Sequence, residues 1–271
     1  MTHLIRALLV AGLLALTSGA AIAGPMDDGK AAYEHGDYPA ALKIIRPLAQ
    51  QGDAMAQRYL GVMYTGGLGV KKNEKEAARW FRLSANQGDA DAQCNLGLVY
   101  LSGQGVAQDF KQAVKWYRLA AEQGNARAQF SLGVAYAGGI GVAQDKTEGA
   151  KWLRLAAEQG EMHAQYQLGG AYHNAEGVAR DEAESFKWFR LSALQGFPDA
   201  QVSLALKYDQ GSGVAEDGVR ANMWYRLAAM QGDEHAPYFL GEIEGRMTPE
   251  RIAQAKEMAA RCKGSSYKDC D

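Results

Sequence analysis

Apolar residues recur at helical spacing along almost the whole chain, in units that copy one another. In one unit Ala56, Leu60, Met63 and Tyr64 fall at i, i+4, i+7 and i+8, one face of a helix, and Asp53 stands where a cap belongs. A glycine-rich stretch follows, Gly66-Gly67-Leu68-Gly69-Val70, made of the residue that takes positive φ most cheaply. Asn73 offers a second cap, Ala77, Trp80, Phe81 and Ala85 supply the apolar side of a second helix, and Gly88 closes it. The two helices of the unit are termed A and B below.

The unit returns every 36 residues without insertion: Trp80, Trp116, Trp152, Trp188 and Trp224 keep that interval, as do Leu60 through Leu240 and the Gln-Gly pairs from Gln51 to Gln231. Those are all five tryptophans of the chain, which chance does not place on one lattice. The second cap recurs as Asp109, Asp145, Asp181 and Asp217. Gly61, Gly97, Gly133 and Gly169 lie inside helix A, where glycine costs roughly 1 kcal/mol against alanine. Their recurrence predicts close approach of another helix, which Ala205 at the same position permits less completely.

The combined pattern, AQ-x-x-LG-x-x-Y in helix A, G-x-GV-x-x-D in the loop and W-[YF]-R-L-[AS]-A-x-x-G in helix B, resembles the Sel1-like repeat family, relatives of the tetratricopeptide repeats. The resemblance implies an all-α, right-handed α/α solenoid of about seven helix pairs, with repeats over residues 53–246. Residues 24–52 look like a shorter tetratricopeptide-type entry pair, and 247–271 a capping helix and tail, with Thr248 as cap and Pro249 at its first position. Ala175 in place of a loop glycine, and Pro237 in place of the helix A glutamine, depart from the pattern.

Residues 1–23 differ: Arg6, the apolar run Ala7 to Leu16, then Ala21-Ile22-Ala23 read as a secretory signal peptide, too short an apolar run for a membrane span. With the resemblance, this implies a bacterial protein that is periplasmic or secreted, with no stable membrane anchor once the leader is removed. A formal net charge of −2 gives no basic excess for nucleic acid. Of three cysteines, Cys262 and Cys270 are spaced for a disulfide clasp on the tail, leaving Cys94 over.

Catalytic signals are missing. The histidines form no H-x-x-x-H pair, so no metal is expected, and the S-x-x-K at Ser265 and Lys268 sits in a polar tail. No glycine loop has a dinucleotide fingerprint, and no cofactor is expected. Two surfaces stand out instead. Arg46, Arg82, Arg118, Arg154, Arg190 and Arg226 share one helix B position, either a basic stripe for an anionic polymer or acidic peptide, or, as the near-neutral charge favours, a solvated face in which they meet carboxylates such as Glu122 and Glu158. On helix A, the side away from Leu60 and Tyr64 carries Arg127, Phe130, His163, Tyr166, His173, His235 and Tyr238. In related solenoids this side lines a groove for partner peptides; equally, Phe130 and Tyr166 could pack between repeats.

The expected function is therefore an exported scaffold or regulator that binds a protein or peptide partner in the cell envelope. The alternatives are an envelope hydrolase acting on peptidoglycan or a β-lactam, and a structural component of a secretion or polysaccharide machine.

Overall fold

The computed structural model describes residues 24–270, so the leader-like segment 1–23 lies outside the described residues. The described residues form fourteen α-helices and no strand: α1 (Pro25–Glu34), α2 (Tyr38–Gln50), α3 (Ala54–Gly66), α4 (Glu74–Asn86), α5 (Ala90–Ser102), α6 (Phe110–Glu122), α7 (Ala126–Gly138), α8 (Lys146–Glu158), α9 (Met162–Asn174), α10 (Glu182–Ala193), α11 (Pro198–Gln210), α12 (Gly218–Ala229), α13 (Ala236–Glu244) and α14 (Pro249–Gly264). They stack as a solenoid of six successive pairs, α1–α2 to α11–α12, closed by α13 and α14, which both pack on α12; odd-numbered helices from α3 to α13 are helix A and even-numbered ones from α4 to α12 helix B.

The caps fall where the sequence puts them. Asp53, Asp89 and Asn125 accept from backbone N–H groups in the first turns of α3, α5 and α7, and Asn73, Asp109, Asp145, Asp181 and Asp217 do so for the B helices. From α3 to α11 helix A ends on a left-handed residue, glycine in α3, α5, α7 and α11 but Ala175 in α9, which holds φ 56° at a cost of about 1 kcal/mol.

The helix A glycines are close-approach sites, as their recurrence predicts. A Cβ on Gly97 would stand 2.6 Å from the Tyr117 ring of the same pair, and Gly61 and Gly169 face Phe81 and Phe189 in the same way. A second glycine set, in the loops, joins pairs: a Cβ on Gly105 would stand 2.2 Å from the carbonyl oxygen of Glu74, so the loop of one pair seats on the first turn of the preceding helix B.

A glutamine ladder runs through the stack. Gln129 is buried on α7; its Nε2 donates to the Ala121 carbonyl at the end of the preceding pair (3.1 Å), and its Oε1 accepts from Gln159 of its own pair (2.6 Å). Gln57, Gln93, Gln165 and Gln201 repeat both bonds, so the AQ and QG signatures of the sequence are two ends of one buried link. At Pro237 the ladder stops, α13 shortens to 9 residues, and α14 lies against α12. Cys262 and Cys270 form a disulfide, and Tyr267 within that loop reaches back to Gly196. Cys94 is free and buried.

The tryptophans are not equally covered. Trp80, Trp188 and Trp224 are buried, whereas Trp116 and Trp152, which the repeat lattice predicts to share that core, are only partly buried against it. No helix among the described residues is long and apolar enough to cross a membrane.

Candidate functional site: a groove along the helix A face

Two cavities open on the helix A face, and they are the same site one repeat apart. The first, ≈ 460 Å³, lies between α3 and α5 over Ala77 and Phe81 of α4. The second, ≈ 160 Å³, lies between α5 and α7 over Ala113 and Tyr117 of α6. Thr65, Glu74, Val99 and Gln104 line the first; 36 positions on, Leu101, Phe110, Ala135 and Ile140 line the second. Leu98 is 49 % exposed on the first and Phe110 is exposed on the second, apolar surface that the fold itself does not cover.

The same positions in later pairs carry charge. Phe110 and Ile140 become Lys146 and Glu176, which pair at 3.4 Å, and there α7 and α8 meet backbone to backbone, since a Cβ on Gly149 would stand 2.9 Å from the Gly133 carbonyl. One repeat later Glu182 takes the Phe110 position and Lys207 the Ala135 position. Lys207 is 4 % exposed; its Nζ donates to Glu182 and to His173 Nδ1 (3.1 Å), while Ser212 Oγ (2.9 Å) and Arg180 Nε (2.8 Å) also donate to Glu182. Burial pushes the Glu182 carboxyl up, but the hydrogen bonds from Lys207 and Arg180 outweigh it and hold the group well below the usual carboxylate range. In the next pair Arg246 spans Asp209, with both carboxylate oxygens at 3.0 Å.

The residues singled out in the sequence divide along the same line. Arg127 lines the first cavity and Phe130, one turn on, the second. His163 lies between Phe130 (5.8 Å between ring centroids) and Phe197 (5.1 Å) and meets Glu161 at 2.8 Å. Tyr166 packs on Phe189 and Phe197, so both sit in an aromatic row between repeats. His173 belongs to the Lys207 cluster. His235 caps α13 without a side-chain bond, and Tyr238 is 67 % exposed beside Phe239, away from both cavities.

The arginine ladder has partners other than the expected carboxylates. Arg82 and Arg118 donate to Tyr100 and Tyr136 hydroxyls of the next helix A at 2.7 and 2.6 Å, Arg154 likewise to Tyr172, and Arg226 to Glu244, which stands where the tyrosine would be. These links tie each pair to the next. Among the described residues no group of three or more His, Cys, Asp or Glu side chains is placed to hold a metal ion.

The model of the Sel1 repeat matches five successive segments, residues 54–89, 90–125, 126–161, 163–197 and 198–233, more than half of the chain. The chain belongs to the Sel1 repeat family. A Sel1 repeat protein of Oxalobacter formigenes is 34 % identical, superposes with a TM-score of 0.76, and matches over 87 % of this chain and 96 % of its own. The protective antigen c5321 of uropathogenic Escherichia coli is 33 % identical with a TM-score of 0.77, over 92 % of this chain and 55 % of that one. An immunity protein, Pa5087 of Pseudomonas aeruginosa, shares the fold at 19 % identity and a TM-score of 0.50, over 76 % of this chain and 83 % of its own. No curated protein matches.

The periodicity of helix A in this Sel1 repeat protein points to Arg127 and to aromatic and histidine side chains, but not to Leu98, Phe110, Ile140, Glu182 and Lys207. The signal for them was present across the repeats. At one repeat position the residues run Glu74, Phe110, Lys146, Glu182, Gly218, a change of chemistry from pair to pair in an otherwise regular lattice.

Proposed function

We propose that this Sel1 repeat protein binds a peptide segment of a partner protein in the first half of its groove, from α3 to α7. Sel1 repeat proteins commonly mediate protein–protein interactions. The observation that carries the reading is the pair of repeat-equivalent cavities in that half, on which apolar Leu98 and Phe110 are exposed. A surface of this kind binds through apolar side chains that enter the cavities, with polar groups at the edge fixing register. We place this activity in the periplasm or outside the cell, on the leader-like character of residues 1–23. Nothing in the fold or the comparisons favours the hydrolase alternative.

Random peptides displayed on phage and panned on the full chain test the binding site. Enriched peptides should bind the parent protein and lose at least about 1 kcal/mol of affinity on Leu98→Asp; equal binding to that variant would move the site elsewhere. Export is tested by mass: protein recovered from a periplasmic extract should begin at Gly24, and an uncleaved chain would contradict the placement.

A further inference from the structure

Resting on the groove reading, we infer that the peptide is an extended acidic segment: two apolar side chains three residues apart, with an Asp or Glu between them that meets Arg127. The spacing comes from the scaffold. The two cavities are offset by one helix pair, and packed helices lie about 8–10 Å apart. An extended chain advances roughly 3.3 Å per residue, so about three residues carry it from one cavity to the next.

The acidic residue comes from the ion pairs at the edge of the groove. Arg58 is engaged by Asp89 at 3.1 Å and Asp91 at 3.2 Å, and Asp91 also accepts from Asn125 at 2.8 Å. Glu74 is met by Lys72 at 3.2 Å. Arg127 differs: it is exposed, and its partners are neutral, the Asn95 side-chain amide oxygen, to which it donates at 3.0 Å, and the Cys94 thiol, with no carboxylate within ion-pair distance among the described residues. A guanidinium has five N–H donors, so most of those on Arg127 remain for a ligand, and a carboxylate is the partner its fork fits best. Its position fixes where that carboxylate falls. Arg127 lines the first cavity while Phe130, on the next turn of α7, lines the second, so a charge held there lies between the two apolar anchors. The second cavity itself is lined by no charged residue, which excludes a run of acidic residues entering it.

The test takes the peptides enriched by panning on the full chain and titrates fluorescein-labelled synthetic copies by anisotropy. The expected sequences share two apolar residues three apart with Asp or Glu between. Replacing that acid by Lys should weaken binding about tenfold or more, Arg127→Gln should erase the preference, and Arg127→Glu should reverse it toward the Lys peptide. Arg127 is exposed, and unchanged melting of either variant verifies the fold; Arg127→Gln serves alone if the reversal unfolds the chain. Peptides that lose binding on Leu98→Asp but carry no acid, or bind Arg127→Gln as tightly as the parent, overturn this inference and leave the groove reading standing. Apolar residues seven apart in peptides that become helical on binding overturn the extended register. If no peptide enriches, or if binding ignores Leu98→Asp, both readings fall.

Discussion

Phe110 and Glu182 occupy one position of the repeat, each the first residue of a helix B behind an aspartate cap, yet the groove at Phe110 is an open apolar cavity and the groove at Glu182 is filled by ions. The difference teaches that this scaffold separates two jobs. Capping residues, glycines, glutamines and the arginine–tyrosine links keep the pairs in register from end to end. The few groove positions outside that set are free to change chemistry from pair to pair: they leave apolar side chains exposed on the first half and put charged side chains on the second.

Breaking the contrast should give effects of graded size. The largest is in the core: Trp224→Ala, from a residue 2 % exposed, should cost about 3–5 kcal/mol of unfolding free energy in denaturant, and Trp116→Ala, partly buried, distinctly less. Equal losses would mean that the two tryptophans are buried alike.

Next is the ion cluster. Glu182→Ala strands the buried ammonium of Lys207 and should cost about 3 kcal/mol. Glu74→Ala, at the same position in the first half, removes an exposed pair and should cost at most about 1 kcal/mol. The pH dependence has a definite sign. The folded Glu182 pKa lies below its unfolded value, so its contribution is present above the ordinary carboxylate range and lost as pH falls through and below it. Parent and Glu182→Gln should therefore converge in stability toward low pH; a gap that widens on acidification would contradict the assignment.

Smaller effects sharpen the comparison at the surface. Phe130→Ala should weaken binding of an enriched peptide by over about 1 kcal/mol, whereas Tyr238→Ala, at the far end, should leave the titration unchanged. Smallest is Ala175→Gly, which relieves the left-handed alanine of α9 and should raise stability by about 1 kcal/mol in thermal or denaturant unfolding.

The lattice was legible in the sequence because each of its parts is a residue type tied to a backbone need: caps, left-handed turn residues, and glycines under aromatic rings. Even the glutamine pair could be read as two motifs, although not as one bond, since its partners lie 30 residues apart. The groove was less legible. Arg127 and Phe130 were reached by following one helix face, but the same face led to His163 and Tyr166, which the extra ring of Phe197 draws into inter-repeat packing. Phe197 stands where other pairs carry a polar cap, and a ring there changes its neighbours' role in a way no periodicity reports. The arginine stripe was placed on the right face, but its tyrosine partners lie across a pair boundary, beyond the reach of i, i+4 reasoning.

The most direct measurement is amide hydrogen exchange on the full chain, free and saturated with an enriched peptide. Slower exchange should be confined to α3, α5 and α7 with the loops that follow them, while α9, α11 and α13 exchange as in the free protein. Protection centred on the Lys207 cluster or on α13 would contradict the claim that only the first half of the groove is a receptor.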